Sequence, residues 1–195
     1  MAFIQTIAAD EAEGKLRGIY EGDQQNLGYV PNYAKIVSLR PDVLEAWRAF
    51  QVSIRKNLRL RTYELVTIAA AKALNCRYCL LAHGAVLLKN GFDIGQLRAI
   101  IAGHHDAGLE PAEVAMMDFA QKVTENANKV RPDDIEHLRS FGLSDSEILD
   151  ITLTTTLRSC FSKTFDALGA EPDAAYAGLE TLLHDLLPVG EPISK

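Results

Sequence analysis

Residues 64–83 read Glu64-Leu-Val-Thr-Ile-Ala-Ala-Ala-Lys-Ala-Leu-Asn-Cys-Arg-Tyr-Cys-Leu-Leu-Ala-His83 and join a run of small, helix-forming residues to two cysteines. The cysteines form a Cys76-x-x-Cys79 pair, and His83 follows four residues later. Because residues three, four and seven apart share one face of an α-helix, these three side chains are predicted to form a single stripe. Two thiols and an imidazole within reach of each other are the components of a thiol redox site.

The start of this helix is predicted at Asn75, whose short amide side chain can accept a hydrogen bond from a free N–H of the first turn. Cys76 would then lie in the first turn, where unpaired N–H groups and the helix dipole favour a thiolate. Helix position alone therefore predicts Cys76 as the more reactive and more exposed thiol.

A carboxylate is available upstream, because Glu64 lies in the first turn of a separate helix predicted over residues 59–74. An antiparallel return of the next helix would bring Glu64 beside His83. A carboxylate at that place would orient the imidazole and raise its basicity, as the third member of a nucleophile, base and orienting group.

The Glu-Leu pair, the Ala-rich helix and the run Asn-Cys-x-x-Cys-x-x-x-His resemble the alkylhydroperoxidase D-like group of the carboxymuconolactone decarboxylase family. That resemblance implies a cofactor-free peroxidase in which Cys79 attacks a hydroperoxide, Cys76 resolves the product, and His83 and Glu64 relay protons. It also implies an external dithiol reductant and a homo-oligomer. Tyr78 stands where the alkylhydroperoxidase D motif has a second histidine, which is closer to the peroxidase-related branch of the family.

Composition excludes several other classes of protein. The chain has 195 residues, is 48% hydrophobic and carries a net charge of −6, so it can bury one sizeable core and is a poor partner for nucleic acid. Its three cysteines are an odd number, which is not typical of a secreted disulfide framework. The first residues lack the pattern of a signal peptide, and no apolar run could span a membrane. The sequence thus predicts a cytoplasmic protein with no membrane partner.

The predicted fold class is all-α, because no stretch alternates apolar and polar residues in the way of a strand. This excludes a thioredoxin fold, and the resemblance implies a multi-helix alkylhydroperoxidase D-like bundle. We expect a single domain over residues 1–195, with a helical cover (1–58), a core that carries the site (59–183) and a loose tail (184–195).

Capping signals predict two of the later helices. Asp93 is expected to cap a short helix that ends near Gly103. Ser144 and Glu147 form a capping box, which predicts a long helix over residues 147–168.

Several other residues suggest chemistry but are expected to be structural. His104 and His105 are interpreted as solvated histidines on a loop, because adjacent loop residues rarely converge on a metal without further ligands. Cys160 has no second cysteine nearby in the sequence and is predicted to be a small buried residue. Trp47 and Phe50 are predicted to belong to the core.

Three alternatives to a thiol peroxidase or disulfide reductase stay open. Cys76, Cys79 and His83 offer three ligand types for zinc, but no fourth ligand is evident and Glu64 would be unexplained. A lactone decarboxylase, the chemistry that names the family, does not depend on a Cys-x-x-Cys pair. A non-enzymatic helical oligomer would leave both cysteines as inert buried thiols.

Overall fold

The computed structural model describes residues 2–190 and 193. Over these residues the chain is helical without a β-strand, which confirms the predicted fold class. The α-helices are α1 (Gly14–Leu27), α2 (Asn32–Ile36), α3 (Pro41–Arg55), α4 (Leu60–Ala73), α5 (Arg77–Lys89), α6 (Ile94–Gly103), α7 (Pro111–Asn126), α8 (Pro132–Ser140), α9 (Asp145–Ala167) and α10 (Ala177–Leu183). Short 3-10 turns cover His104–Asp106, Ala127–Lys129 and Ala174–Tyr176.

Helix α4 lies at the centre of the fold, where it packs against α5, α7 and α9. Every residue from Tyr63 to Ala71 is buried, so the helix is covered on all sides rather than along one stripe. The consecutive alanines at 69–71 allow this, because their short side chains let neighbouring helices approach closely. The predicted helix over residues 59–74 is therefore confirmed to within one residue at each end, but the prediction that Glu64 lies in its first turn is wrong, because the helix begins at Leu60.

The link from α4 to α5 is short and differs from the prediction. Asn75 does not cap α5 but adopts a left-handed conformation with φ 55°, which asparagine tolerates better than most residues. Cys76 takes the N-cap position with no side-chain cap, and its N–H donates to the carbonyl of Ala71 at 2.9 Å. As a result α5 begins at Arg77, and Cys79, not Cys76, lies in its first turn.

Helix α9 connects the two hydrophobic clusters of the structure. Its first half contributes Ile148 and Ile151 to the larger cluster, which α4–α7 also build. Its second half contributes Leu157, Phe161 and Phe165 to a smaller cluster with the N-terminal helices. The capping boxes predicted at Asp93 and at Ser144 are both present.

Two predicted core residues are exposed instead. Cys160 is exposed, because it lies about 200° around α9 from Arg158, which faces inward. Phe50 is 43% exposed, since it lies on the outer face of α3. Trp47 does belong to the smaller cluster, where its ring meets that of Phe161 edge-on at 4.9 Å.

The predicted division into cover, core and tail stays a prediction. The tail expected over residues 184–195 falls partly outside the described residues, which omit 191, 192, 194 and 195. None of the helices in the described part of the chain has the length and apolar character needed to cross a bilayer.

Candidate active site

The antiparallel pairing of α4 and α5 brings Glu64 and His83 together. The Nδ1 atom of His83 lies 2.6 Å from the Oε2 atom of Glu64. The Glu64 residue is only 2% exposed, so this hydrogen bond is shielded from solvent. A buried carboxylate in this position fixes the orientation of the ring and leaves its other nitrogen for chemistry.

The two cysteines of the pair are both free and buried, but their surroundings differ. The Sγ atom of Cys79 accepts hydrogen bonds from the hydroxyl of Ser162 at 3.2 Å and from Nη1 of Arg158 at 3.5 Å. The thiol of Cys76 has one proton, which it can donate to the Oδ1 atom of Asp166 at 3.4 Å or to the sulfur of Cys79. One sulfur therefore faces a hydroxyl and a cation, and the other faces a carboxylate.

These surroundings shift the pKa values of the two thiols in opposite directions. A hydrogen bond from the Cys76 thiol, together with the charges of Arg158 and His83, lowers the pKa of Cys79 well below its usual value despite burial. The hydrogen bond to Cys79, burial and the negative charge of Asp166 raise the pKa of Cys76. The pair thus favours a thiolate at Cys79 and a neutral thiol at Cys76.

This order is the opposite of the one that helix position predicted. Because α5 begins at Arg77, the free N–H groups of the first turn are nearer to Cys79. Cys76 lies before the helix and meets Asp166 of α9, whose contact no local sequence signal indicated.

A cavity of about 300 Å³ opens onto the site. Cys79, His83, Glu64 and Arg158 line it, whereas Cys76 is not among its lining residues. The rest of the wall is mainly apolar and aromatic, and includes Leu27, Tyr33, Tyr63, Tyr78, Val86, Phe161, Phe165 and Tyr176. A small organic molecule that enters this cavity would meet the Cys79 sulfur first.

Arg158 and Ser162 are residues that the sequence analysis missed. They lie on a buried polar stripe of α9 that also includes Thr154 and Thr155. The spacing of 154, 158 and 162 by four residues was the available signal, because polar residues on the buried face of a helix need partners. The Nε atom of Arg158 is buried and has no hydrogen-bond partner among the described residues.

Tyr78 stands where the alkylhydroperoxidase D motif has its second histidine, and its hydroxyl makes hydrogen bonds that hold the fold together. Its hydroxyl donates to Oδ2 of Asp173 and accepts from the N–H of Tyr33 at 3.2 Å. Asp173 also accepts from the N–H of Asn32 at 2.7 Å. Burial raises the pKa of Tyr78, so its hydroxyl stays protonated and ties α5 to α2.

The candidate metal ligands are neither the Cys76, Cys79 and His83 set considered for zinc nor a pair of solvated histidines at 104 and 105. Within the described residues, the group of three or more donor side chains close enough to share an ion is His104, His105 and Asp118. Cys76, Cys79 and His83 do not form such a group. The prediction of two solvated histidines is wrong for His104, which is buried because α7 covers the 3-10 turn.

Comparisons with known proteins agree with this architecture. Residues 41–122 match the model of the carboxymuconolactone decarboxylase family, and this range contains every predicted site residue. No curated protein matched the chain.

Two solved structures resemble nearly the whole chain. One is the alkylhydroperoxidase AhpD core of an uncharacterised peroxidase-related protein from Ralstonia eutropha JMP134, with 25% identity, a TM-score of 0.83 and coverage of 90% of this chain and 94% of that one. The other is an uncharacterised peroxidase-related protein from Silicibacter sp. TM1040, with 26% identity, a TM-score of 0.82 and coverage of 90% and 93%.

A third structure shares the fold. It is the debrominase Bmp8 in complex with 2,3,4-tribromopyrrole, which is 15% identical, with a TM-score of 0.77 and coverage of 95% of this chain and 100% of that one. The family match over residues 41–122 and the likeness to the two peroxidase-related structures support the resemblance of the chain to the alkylhydroperoxidase D-like group of the carboxymuconolactone decarboxylase family.

Proposed function

We propose that the protein is a cofactor-free thiol peroxidase that reduces organic hydroperoxides through Cys79 and Cys76. The observation that carries this proposal is the place of Cys79: its sulfur, with a lowered pKa, lines the cavity beside His83. Peroxide-reactive cysteines typically combine a low pKa and a route for the substrate, which the cavity gives the buried Cys79, with a neighbouring resolving cysteine.

In the oxidative step, the Cys79 thiolate attacks the outer oxygen of the hydroperoxide. The S–O bond forms as the O–O bond breaks, and the departing alkoxide takes a proton, which gives an alcohol and a sulfenic acid at Cys79. The His83 imidazole, oriented by Glu64, is suited to deliver that proton and to accept the Cys79 proton beforehand.

In the resolving step, the Cys76 sulfur attacks the sulfenic acid. A disulfide forms, and the Cys76 proton leaves with the hydroxyl group as water. The carboxylate of Asp166, at 3.4 Å from the Cys76 sulfur, is placed to accept that proton first. Reduction of the disulfide by an external dithiol then restores both thiols and converts the dithiol to its own disulfide.

The geometry favours this function over the two other candidates. A lactone decarboxylase has no use for a hydrogen-bonded pair of thiols with opposed pKa shifts. An inert pair of buried thiols would have both pKa values raised, whereas the pKa of Cys79 is lowered. Cytoplasmic location and homo-oligomerisation stay predictions from the sequence.

Hydroperoxide turnover with a panel of dithiol donors tests the proposal. We expect the protein to consume cumene hydroperoxide catalytically, and the Cys79→Ser variant to lose turnover. Cys160→Ser is the matched control, because Cys160 is exposed and is not among the residues that line the cavity, and it should retain full activity. Turnover that survives in Cys79→Ser, or no peroxide consumption with any donor, would contradict the proposal.

A further inference from the structure

A second cluster of reactive side chains lies where the 3-10 turn His104–Asp106 meets α7. The Nε2 atoms of His104 and His105 each lie 2.8 Å from the same oxygen, Oδ1 of Asp118. The two imidazole rings are 4.7 Å apart between centroids and inclined by 32°. Three donor atoms from three side chains thus converge within 4.8 Å of one another.

We propose that His104, His105 and Asp118 bind a divalent transition-metal ion, with Zn²⁺ as the best fit. Zinc in a tetrahedral site has bonds of about 2.0–2.2 Å to nitrogen and oxygen, which places its ligand atoms roughly 3.3–3.5 Å apart. The observed separation of 2.8 Å between each nitrogen and the oxygen needs to open by only about half an ångström.

The donor set also selects the type of ion. Two imidazole nitrogens and one carboxylate oxygen suit zinc and its first-row neighbours, whereas calcium and magnesium prefer all-oxygen sites. Three protein ligands leave a fourth tetrahedral position for water. The site lies in a cleft of about 420 Å³, which gives that position access to solvent.

The charges of the cleft are compatible with a cation. Lys72 and Lys122 line it, but each is bound elsewhere: Lys72 donates to the carbonyl of Ala102 at 2.8 Å, and Lys122 pairs with Asp134 at 2.7 Å. Asp118 has the two imidazoles as its partners. A metal ion would replace the two N–H protons that now point at this one oxygen, so its binding releases protons or requires neutral imidazoles.

The position of the cluster indicates what the ion would do. His104 is only 5% exposed and is held by its own turn, so one ligand is already fixed. Binding would fasten the turn after α6 to α7, and α7 packs directly on the central helix α4. The expected result is a more stable bundle, independent of the thiol chemistry.

Isothermal titration of the untagged 195-residue chain with Zn²⁺ tests the site. In a Cys76→Ser, Cys79→Ser, Cys160→Ser background, where no thiol can bind zinc, we expect one equivalent to bind and the melting temperature to rise. Co²⁺ should bind in the same place and give the visible absorption of a tetrahedral site. Mg²⁺ should do neither.

Two exposed ligands allow variants that keep the fold: His105 and Asp118 have side chains that are 63% and 47% exposed. His105→Ala and Asp118→Asn should each weaken zinc binding by at least about tenfold, since a direct ligand contributes more than the outer-shell partners that cost about 10–100-fold. His184→Ala is the matched control, because this histidine is 78% exposed and outside the cluster.

The same comparison in the chain with intact thiols guards against a background that does not fold. There, the zinc equivalent that Asp118→Asn removes isolates the proposed site from any thiol-bound zinc. Absence of a specific equivalent, or binding that is unchanged in both ligand variants, would overturn the proposal.

Discussion

The Nη1 atom of Arg158 lies 3.5 Å from the Sγ atom of Cys79, so a buried guanidinium faces the sulfur of the candidate site. Arginine keeps its charge at any physiological pH, and here the neighbouring thiolate raises its pKa further despite burial. In a poorly solvated site such a charge acts more strongly than at the surface. Arg158 is therefore a fixed electrostatic support for the Cys79 thiolate.

Removal of this charge should make Cys79 harder to ionise. We expect Arg158→Met to shift the pH profile of alkylation by iodoacetamide toward alkaline pH, and Arg158→Lys to shift it less. Once the pKa exceeds the pH of the measurement, each further unit lowers the thiolate fraction about tenfold. At alkaline pH, where all variants carry the thiolate, their rates should converge. Unchanged profiles in both variants would show that Arg158 does not tune the sulfur.

The wild-type pH profile should itself be unusual. Because the pKa of Cys79 is lowered, its thiolate persists at pH values below those at which an ordinary cysteine thiol ionises. The rate of its reaction with iodoacetamide should level off at a lower pH than that of free cysteine, whose rate still rises steeply near its pKa of about 8.5. A profile for Cys79 that follows free cysteine would contradict the assignment.

The contact between Glu64 and His83 predicts that substitutions of the two residues lower the rate of peroxide reduction in a non-additive way. Glu64→Gln should keep the fold but weaken the base, and His83→Ala should lower the rate of peroxide reduction by about a hundredfold to ten-thousandfold. The double variant should lose little more than either single one, because members of one relay act as a unit. If the rate of peroxide reduction by Glu64→Gln stays close to the wild-type rate at all pH values, Glu64 takes no part in the proton relay.

The two cysteines should have distinct roles that chemical trapping can separate. In Cys76→Ser, peroxide should convert Cys79 to a sulfenic acid that dimedone traps, because no resolving thiol is present. In Cys79→Ser, no adduct should form at Cys76. Wild-type protein should lose two free thiols on mild oxidation and keep the exposed Cys160 thiol. Mass spectrometry of the adducts identifies the residue, and an adduct at Cys76 alone would reverse the assignment.

The Tyr78 hydroxyl should matter for stability more than for chemistry. Tyr78→Phe removes the hydroxyl that binds Oδ2 of Asp173 and the N–H of Tyr33, and should cost about 1–3 kcal/mol in the free energy of unfolding. Tyr29→Phe is a matched control, since its hydroxyl contact with Tyr176 is long, at 3.4 Å, and its loss should be smaller. Urea denaturation measures both, and the pH profile of Cys79 should not move.

The sequence was informative wherever the determinants are local. Helices α4 and α5 form an antiparallel pair, which we call the helical hairpin. This hairpin, the contact between Glu64 and His83 and the Ser144 capping box follow from residue spacing and small side chains within one or two helices. The start of α5 was misplaced because Asn75 has two suitable conformations, a cap and a left-handed link, and packing of the hairpin selects the second.

The remaining errors concern contacts between distant segments. Asp166, Arg158 and Ser162 reach the cysteines from α9, and nothing near the Cys-x-x-Cys pair indicates them. Which face of α9 is buried decides that Cys160 is exposed and Arg158 is not. The convergence of His104 and His105 on Asp118 likewise depends on how α7 packs against the preceding turn.

The helical hairpin carries the proposed reacting residues, whereas α9 carries residues that set the surroundings of Cys79, and this separation has an evolutionary consequence. All four proposed reacting and relay residues lie within a contiguous segment of two helices, whereas the partners of Cys79 on α9 are 79 and 83 residues away in sequence. Substitutions in α9 can therefore retune the acidity and nucleophilicity of the sulfur without altering the reacting atoms. A lineage that keeps the hairpin can adapt to different electrophiles through a distant helix, so conservation of the motif alone is a poor guide to substrate.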